Sequence, residues 1–265
     1  MERKLILFIL IIFLVFTINK KEKFISNFKK YMIIYTITKS GTHLVSDIIA
    51  LMIEPKLNIY NKNEMYKVIP HRPIEYKKMK EGLKYNIFSQ HLGSVNNYYM
   101  KNSHLILTIR NPIDICISRF YFYEKRNPNS EMTPKDYINK NIKRAIKECQ
   151  DQINLAEKHD SNLIIRFEDI VSNKKETIIK IYNFVKPFLK LEQIDVESIL
   201  KKTSFKKTQN EEIKNGYKVG AKQPFMFHRN GKIRQWEKEI THQEYIEILD
   251  KIPSSLKTYY SDIFT

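Results

Sequence analysis

Two short stretches of the 265-residue chain combine cations, hydroxyls and helix-starting residues in patterns that suit anion chemistry. In the first, Thr36-Ile-Thr-Lys-Ser-Gly-Thr-His43, Gly41 lets the chain come close to a ligand. Lys39, Ser40 and Thr42 add donors to the backbone N–H groups of the helix start that follows. That composition suits a phosphate. A nucleoside-triphosphate loop places a glycine four residues ahead of its Gly-Lys pair, whereas Lys39 here precedes Gly41. A Mg²⁺-dependent triphosphate site is therefore disfavoured, and a plain turn remains the alternative. In the second stretch, Ile109-Arg-Asn-Pro-Ile-Asp-Ile-Cys-Ile-Ser118, an apolar run ends in Arg110 and Pro112 stands where a helix would begin. An arginine there is placed to fork onto a second phosphate, with Ser118 about two turns along the same helix. The bland alternative for Arg110 is a surface ion pair.

These residues need elements to hold them. Tyr31-Met-Ile-Ile-Tyr-Thr-Ile37 is β-branched and aromatic, which predicts a buried strand, and His43 to Met52 carries Leu44, Ile48 and Leu51 at helical spacing. Further strands are predicted at Tyr85 to Ser89, His104 to Ile109 and Leu163 to Phe167. Ile142, Ile146, Cys149, Ile153 and Ala156 form an apolar stripe along one long helix. Cys149 lies on that stripe, which reads as core and not as a nucleophile. Short apolar strands alternating with helices predict an α/β fold with a mainly parallel central sheet covered on both faces. Ligands of such sheets collect at the carboxyl ends of the strands.

Composition narrows the classes further. At 42% hydrophobic residues the chain can bury an ordinary core, and two cysteines, Cys116 and Cys149, cannot build a disulfide framework. No Cys/His cluster has the spacing of a structural zinc site, so no metal is expected. The 46 Lys+Arg against 29 Asp+Glu give a net charge of +17, spread along the whole chain without a single basic arm. That distribution speaks for solvated surface and an anionic small ligand, and against a nucleic-acid module. Residues 1–27 form a separate segment. Its apolar run Leu5 to Ile18, flanked by Arg3, Lys4, Lys20, Lys21 and Lys23, reaches about 21 Å as a helix, short of the ~20 residues of a comfortable bilayer span. No small-residue cleavage site follows it, so a single-pass signal anchor is the secretory-route reading, with a cleaved signal peptide or an element packed on the domain as alternatives. Without such an anchor the protein would be cytoplasmic. Residues 28–265 read as one domain.

The order Lys39-Ser40-Gly41-Thr42, then Arg110-Asn111-Pro112-Ile113-Asp114 with Ser118, resembles the sulfotransferases that use 3′-phosphoadenosine 5′-phosphosulfate (PAPS), especially the cytosolic type. Gln90-His91-Leu92, Phe167-Glu168-Asp169, Thr203-Ser204-Phe205-Lys206, and Phe227-His228-Arg229-Asn230-Gly231 with Trp236 follow in the family's order. The resemblance runs from about Tyr31 to Thr241. It implies a three-layer, P-loop-like fold, PAPS as co-substrate with the 3′,5′-bisphosphate PAP as product, and no metal. Residue by residue, it implies Lys39, Ser40, Gly41 and Thr42 around the 5′-phosphosulfate. Arg110, Ser118, Arg229 and Gly231 fall at the 3′-phosphate, and Phe167, Thr203 and Phe205 beside the adenine. It implies His91 as general base and Lys39 as the group stabilising the leaving phosphate. His43, His71, His104, His159, His228 and His242 are expected to be structural.

Several positions depart from the family pattern. His43 stands for a second threonine, Leu44 for a stacking tryptophan, Ser89 for a second active-site lysine, Asn230 for a basic residue and Gln235 for an aspartate. They leave two other readings open: a catalytically silent, membrane-tethered nucleotide-binding protein of the same fold, and a small-molecule P-loop kinase. Segments Asn58 to Lys84 and Gly216 to Phe227 are expected to wall the acceptor pocket, whose Tyr, Phe and Lys content fits a small molecule, a carbohydrate or a peptide. Nothing in the sequence speaks to oligomeric state.

Overall fold

The computed structural model describes residues 30–71, 83–93, 95, 97–123, 131–215 and 230–260. Four strands form its sheet: β1 (Tyr31–Thr36), β2 (Ile87–His91), β3 (Ser103–Ile109) and β4 (Asn162–Arg166), in the order β2-β1-β3-β4 with every neighbouring pair parallel. All six residues of β1 are buried. Alternation along the strand sends Met32 and Ile34 to one face of the sheet and Ile33 and Tyr35 to the other, and Ile106 is divided from Leu105 and Leu107 in the same way.

The helices in chain order are α1 (Thr42–Ile53), α2 (Lys62–Val68), α3 (Asn97–Lys101), α4 (Pro112–Tyr123), α5 (Pro134–Lys158), α6 (Phe167–Ser172), α7 (Lys174–Leu189), α8 (Val196–Lys202), α9 (Phe205–Asn215), α10 (His242–Leu249) and α11 (Ser254–Thr258), with a 3-10 turn at Gln235–Lys238. On the Met32 and Ile34 face, Val45, Ile48 and Ile49 of α1 and Ile178, Ile181 and Val185 of α7 close the core. On the opposite face α4 and α5 supply Ile113, Ile115, Ile117, Ile142, Ile146, Cys149 and Ile153, joined by Trp236 and Tyr245. This is the three-layer arrangement expected from short apolar strands alternating with helices.

α5 carries the stripe read from the sequence, with Ile142, Ile146, Cys149, Ile153 and Ala156 all buried. Its start is fixed by Thr133 and Asp136, each bonding the other's backbone, with Pro134 in the first turn. Cys149 is fully buried, and burial pushes its thiol well above the ordinary range, so it is a core residue. Strand boundaries differ from the sequence expectation: β1 ends at Thr36 and not Ile37, and β2 runs from Ile87 to His91, two residues later than the expected Tyr85 to Ser89. β4 stops at Arg166 and Phe167 opens α6, because Glu168 and Asp169 favour the first turn of a helix.

Register is what positions the site. Thr36, the last residue of β1, lies opposite His91 of β2 on one side and Thr108 of β3 on the other, and Ile109 lies opposite Arg166 of β4. The four strands therefore end level, and their carboxyl ends form one edge. Among the described residues no helix is long and apolar enough to cross a membrane, and the run Leu5 to Ile18 lies outside them.

Candidate active site

The turn between β1 and α1 is the centre of that edge. Gly41 precedes α1 with φ of 99°, a left-handed conformation that L side chains rarely adopt, and Lys39 is left-handed as well at 74°. A Cβ at Gly41 would stand 3.1 Å from Cδ2 of Phe167, so the glycine also permits close packing. No side chain caps α1 and its first turn holds no acidic residue. The N–H groups at the start of this 12-residue helix thus face no built-in carboxylate, the condition under which a helix start can receive an anion. Ser40 is fully buried. Its hydroxyl donates to the Ile37 carbonyl at 2.6 Å and pairs with Oγ1 of Thr108 at 2.5 Å, so its side chain braces the turn against β3. The Lys39 ammonium lies 4.3 Å from the centre of the Phe122 ring on α4.

Arg110 grips the same turn from the β3 side. Only 3% exposed, it donates from Nη1 to the Lys39 carbonyl at 3.1 Å and from Nη2 to the Lys232 carbonyl at 3.4 Å. Its guanidinium stacks 4.1 Å from the centre of the Phe167 ring, and Asp114, one helical turn along, approaches to 3.8 Å. Its Nε is buried without a hydrogen-bond partner among the described residues. A buried donor of that kind costs free energy unless a ligand accepts from it, and an oxyanion is the natural acceptor.

Of the remaining expected nucleotide contacts, Gly231 and Phe205 are tied to this centre through Lys232. Gly231 sits directly under the Phe205 ring, where any Cβ would collide with ring carbons, and its neighbour Lys232 is the residue whose carbonyl Arg110 holds. Thr203 is buried at the end of α8; its hydroxyl bonds the Ile199 carbonyl, and its own carbonyl accepts from the Lys174 ammonium. Burial lowers Lys174 to about 8. Ser118 is half-buried on α4, and Arg229 lies outside the described residues.

On the β2 side, His91 stands at the strand end with Nδ1 3.1 Å from Oγ1 of Thr36, which in turn lies 2.7 Å from Oγ1 of Thr42. Two hydroxyls therefore link the imidazole to the first turn of α1. Lys39, Arg110 and His91 accordingly surround one turn, residues 36–42. His71 and His43 stand in the same neighbourhood, with ring centres 5.1 Å from His91 to His71 and 5.2 Å from His71 to His43. Among the described residues no group of three His, Cys, Asp or Glu side chains is arranged to hold a metal ion.

Sequence reasoning missed three contributors. Thr36 opens the first anion motif of the sequence without a role of its own there, and its link to His91 depends on parallel register. Arg119 bonds the Thr38 carbonyl at 3.4 Å and Glu148 of α5 at 2.5 Å, tying the turn to two helices; nothing in its spacing marks it. Glu168 is the third. Its Oε1 accepts from the Asn111 N–H at 2.9 Å, while Asp114 accepts from the Trp236 N–H at 3.2 Å, and the Trp236 ring stacks on Tyr245. These buried carboxylates hold the backbone of Asn111, next to Arg110, and of Trp236.

Burial pushes Glu168 from 4.5 up to about 7, against the Asn111 hydrogen bond and the Arg110 charge, which both lower it. A carboxyl with a raised folded-state pKa binds its proton more tightly in the native than in the unfolded chain. Native stability therefore falls as pH climbs from the unfolded value to the folded one. Relative to Glu168→Gln, the wild-type protein is expected to lose on the order of 3 kcal/mol between pH 4.5 and pH 7.5, from ~1.4 kcal/mol per pKa unit. Denaturant unfolding of both proteins across that range checks it. Parallel stability curves would contradict the assignment.

Comparison with known proteins places the chain. The sulfotransferase domain model matches residues 29–257. The 3-beta-hydroxysteroid sulfotransferase of Cavia porcellus is 25% identical over 237 residues, 82% of this chain and 80% of that protein. Sulfotransferase 2A6 of Rattus norvegicus is 26% identical over 239 residues, covering 83% and 82%. Similar solved structures are retinol dehydratase in complex with androsterone and inactive cofactor PAP, at TM-score 0.62 and 17% identity over 86% of this chain and 81% of that one. Mouse sulfotransferase SULT7A1 complexed with PAP follows at TM-score 0.60 and 19% identity over 84% of each. These two share the fold, and the match over residues 29–257, which takes in the turn at Lys39, the strand end at Arg110 and His91, means that the chain belongs to the sulfotransferase-domain family of sulfuryl-transferring enzymes.

Proposed function

We propose that the protein moves the sulfuryl group of PAPS to a hydroxyl or amine acceptor, with His91 as general base and Lys39 stabilising the leaving phosphate. The observation that carries this reading is the convergence of His91, Lys39 and Arg110 on one turn at the carboxyl edge of a parallel sheet. The residues present fit a doubly phosphorylated donor. An uncapped helix start and Gly41 suit one anionic end, and a buried arginine with an unused donor suits the other. PAPS supplies the activated sulfuryl group, and PAP is the product.

Each residue then has a task. The N–H groups of Gly41 and Thr42, with Lys39, hold the 5′ end, and Ser40 shapes that turn through Thr108. Arg110, with Ser118, Arg229 and Gly231, holds the 3′-phosphate, and Phe167, Thr203 and Phe205 line the adenine side. In sulfuryl transfer, as in phosphoryl transfer, alignment and charge stabilisation supply most of the rate. His91 takes the acceptor's proton through Nε2 while Nδ1 is steadied by Thr36, and imidazole is the side chain most often used for such a transfer. Lys39 leaves the face of Phe122 to neutralise charge developing on the departing phosphate.

The acceptor is a small molecule, a carbohydrate or a peptide side chain. The Cavia porcellus relative is named for a hydroxysteroid, which favours the first. The same reading assigns residues 28–265 to the transferase domain. It assigns Leu5 to Ile18 to an amino-terminal membrane attachment, on the strength of its apolar run and flanking cations.

Replacing His91 with alanine is expected to leave PAP affinity within about threefold while lowering kcat by about 10²-fold or more. Transfer of labelled sulfate from PAPS beside calorimetric titration of PAP measures both, and unchanged turnover would remove His91 as the base. Arg110→Ala is expected to weaken PAP by at least about tenfold more than adenosine 5′-monophosphate, since a charge-assisted hydrogen bond contributes ~1.5–3 kcal/mol and only PAP carries the 3′-phosphate. An equal loss for both nucleotides would refute that role.

A further inference from the structure

A lysine from one helix holds the corner between two others. α8 ends at Lys202 and α9 begins at Phe205, so the chain turns within Thr203 and Ser204. The last carbonyls of a helix have no partner inside it. Here two successive carbonyls are met from outside: that of Lys202 accepts from the Tyr60 hydroxyl at 2.5 Å, and that of Thr203 accepts from the Lys174 ammonium. A charged donor bonds a carbonyl about twice as strongly as a neutral one, so Lys174 is the firmer hold. It opens α7 and is half-buried, its stem laid inward. Asp47 of α1, only 3% exposed, supplies the opposing charge, and Lys62 of α2 pairs with the same carboxylate at 3.3 Å. The corner is thus tied to three other helices.

Phe205 is what the corner carries. Its ring packs against Gly231, where any Cβ would collide with ring carbons, and the next residue, Lys232, gives its carbonyl to Arg110. A chain of contacts therefore runs from Lys174 through Thr203, Phe205 and Gly231 to the guanidinium assigned to the 3′-phosphate. Phe205 is also 36% exposed, whereas Thr203 two residues before it is buried. An aromatic ring seated on a fixed corner and still open to solvent is a platform on which a base can stack. The seat depends on the corner, and the corner on the Lys174 bond.

We propose that Lys174 is a positioning residue for the adenine end of the nucleotide: through the Thr203 carbonyl it fixes the corner between α8 and α9, and with it the Phe205 ring against which the base lies. This inference rests on the sulfuryl-transfer reading, which sets Thr203 and Phe205 beside the adenine. Lys174 acts through protein groups alone and adds no covalent step.

The test sets PAP beside 1-deoxyribose 3,5-bisphosphate, which keeps both phosphates and lacks the base. Each is titrated calorimetrically into the full chain as wild type, Lys174→Met, Lys174→Arg, Phe205→Ala and the double variant Lys174→Met/Phe205→Ala. Loss of a well-placed stacking ring predicts about tenfold weaker PAP in Lys174→Met and a change below about twofold for the abasic ligand. Lys174→Arg, which keeps a cation able to donate to the carbonyl, should return PAP to within about threefold of wild type. Because Lys174 acts through Phe205, the double variant should bind PAP no more than about twofold more weakly than Phe205→Ala alone. Lys174→Gln gives the same comparison should the methionine variant fail to fold. Equal losses for the two ligands, an unchanged PAP affinity in Lys174→Met, or losses that add in the double variant would overturn the inference. Transfer of labelled sulfate from PAPS is scored separately. Its absence with the PAP affinities as expected would count against the functional reading and leave the role of Lys174 standing, whereas a wild-type protein that does not bind PAP would overturn both.

Discussion

A nearly buried guanidinium ties the site together. Arg110 holds the carbonyls of Lys39 and Lys232, lies against Phe167 and faces Asp114, so segments from β1, β3, α6 and the chain before Trp236 all meet on one side chain. A charge removed from water costs several kcal/mol unless partners replace its hydration. Here the replacements are carbonyl oxygens, an aromatic face and a buried carboxylate. The arrangement leaves Nε without a hydrogen-bond partner among the described residues, and the 3′-phosphate is proposed to meet this guanidinium. Glu168 and Asp114 act one step behind it, fixing the backbone of Asn111 and Trp236.

Parallel register is the second constraint, and it explains why chemistry gathers at residues 36–42. Because Thr36 is level with both His91 and Thr108, one turn receives an imidazole from β2 and a hydroxyl brace from β3. The Thr36 and Thr42 hydroxyls then join the imidazole to the helix start expected to hold the donor's anionic end. On the proposed reading, a base and an anion site joined in this way keep their spacing, which is what an aligned transfer between two bound molecules requires. The net charge of +17 contributes through its local members, Lys39 and Arg110, more than through its total.

Much of this was legible in the sequence. Tyr31–Thr36 announced itself through β-branched and aromatic residues because it is buried on both faces, and the stripe from Ile142 to Ala156 announced α5 because one face of that helix lies on the core. Gly41, Arg110 and Pro112 marked the two strand-to-helix junctions, since conformation and chemistry there demand particular residue types. What the sequence concealed depends on three-dimensional neighbours. Arg119 reaches Thr38 and Glu148 across elements distant in the chain. Phe167 looked like the end of a strand and proved to be the first residue of α6, packed beneath Gly41. Ser40 reads as a hydroxyl available to a ligand, whereas its hydroxyl is turned inward onto Thr108. His43 and His71 read as ordinary structural histidines, and only the fold brings their rings beside His91.

The most direct measurement is a crystal structure of the full chain soaked with PAP. The account predicts the 5′-phosphate against the N–H groups of Gly41 and Thr42 with Lys39 turned toward it, the 3′-phosphate on Arg110, and the imidazole of His91 facing the 5′ end. A nucleotide bound with its phosphates exchanged, or lying away from the turn that Arg110 and His91 share, would contradict it.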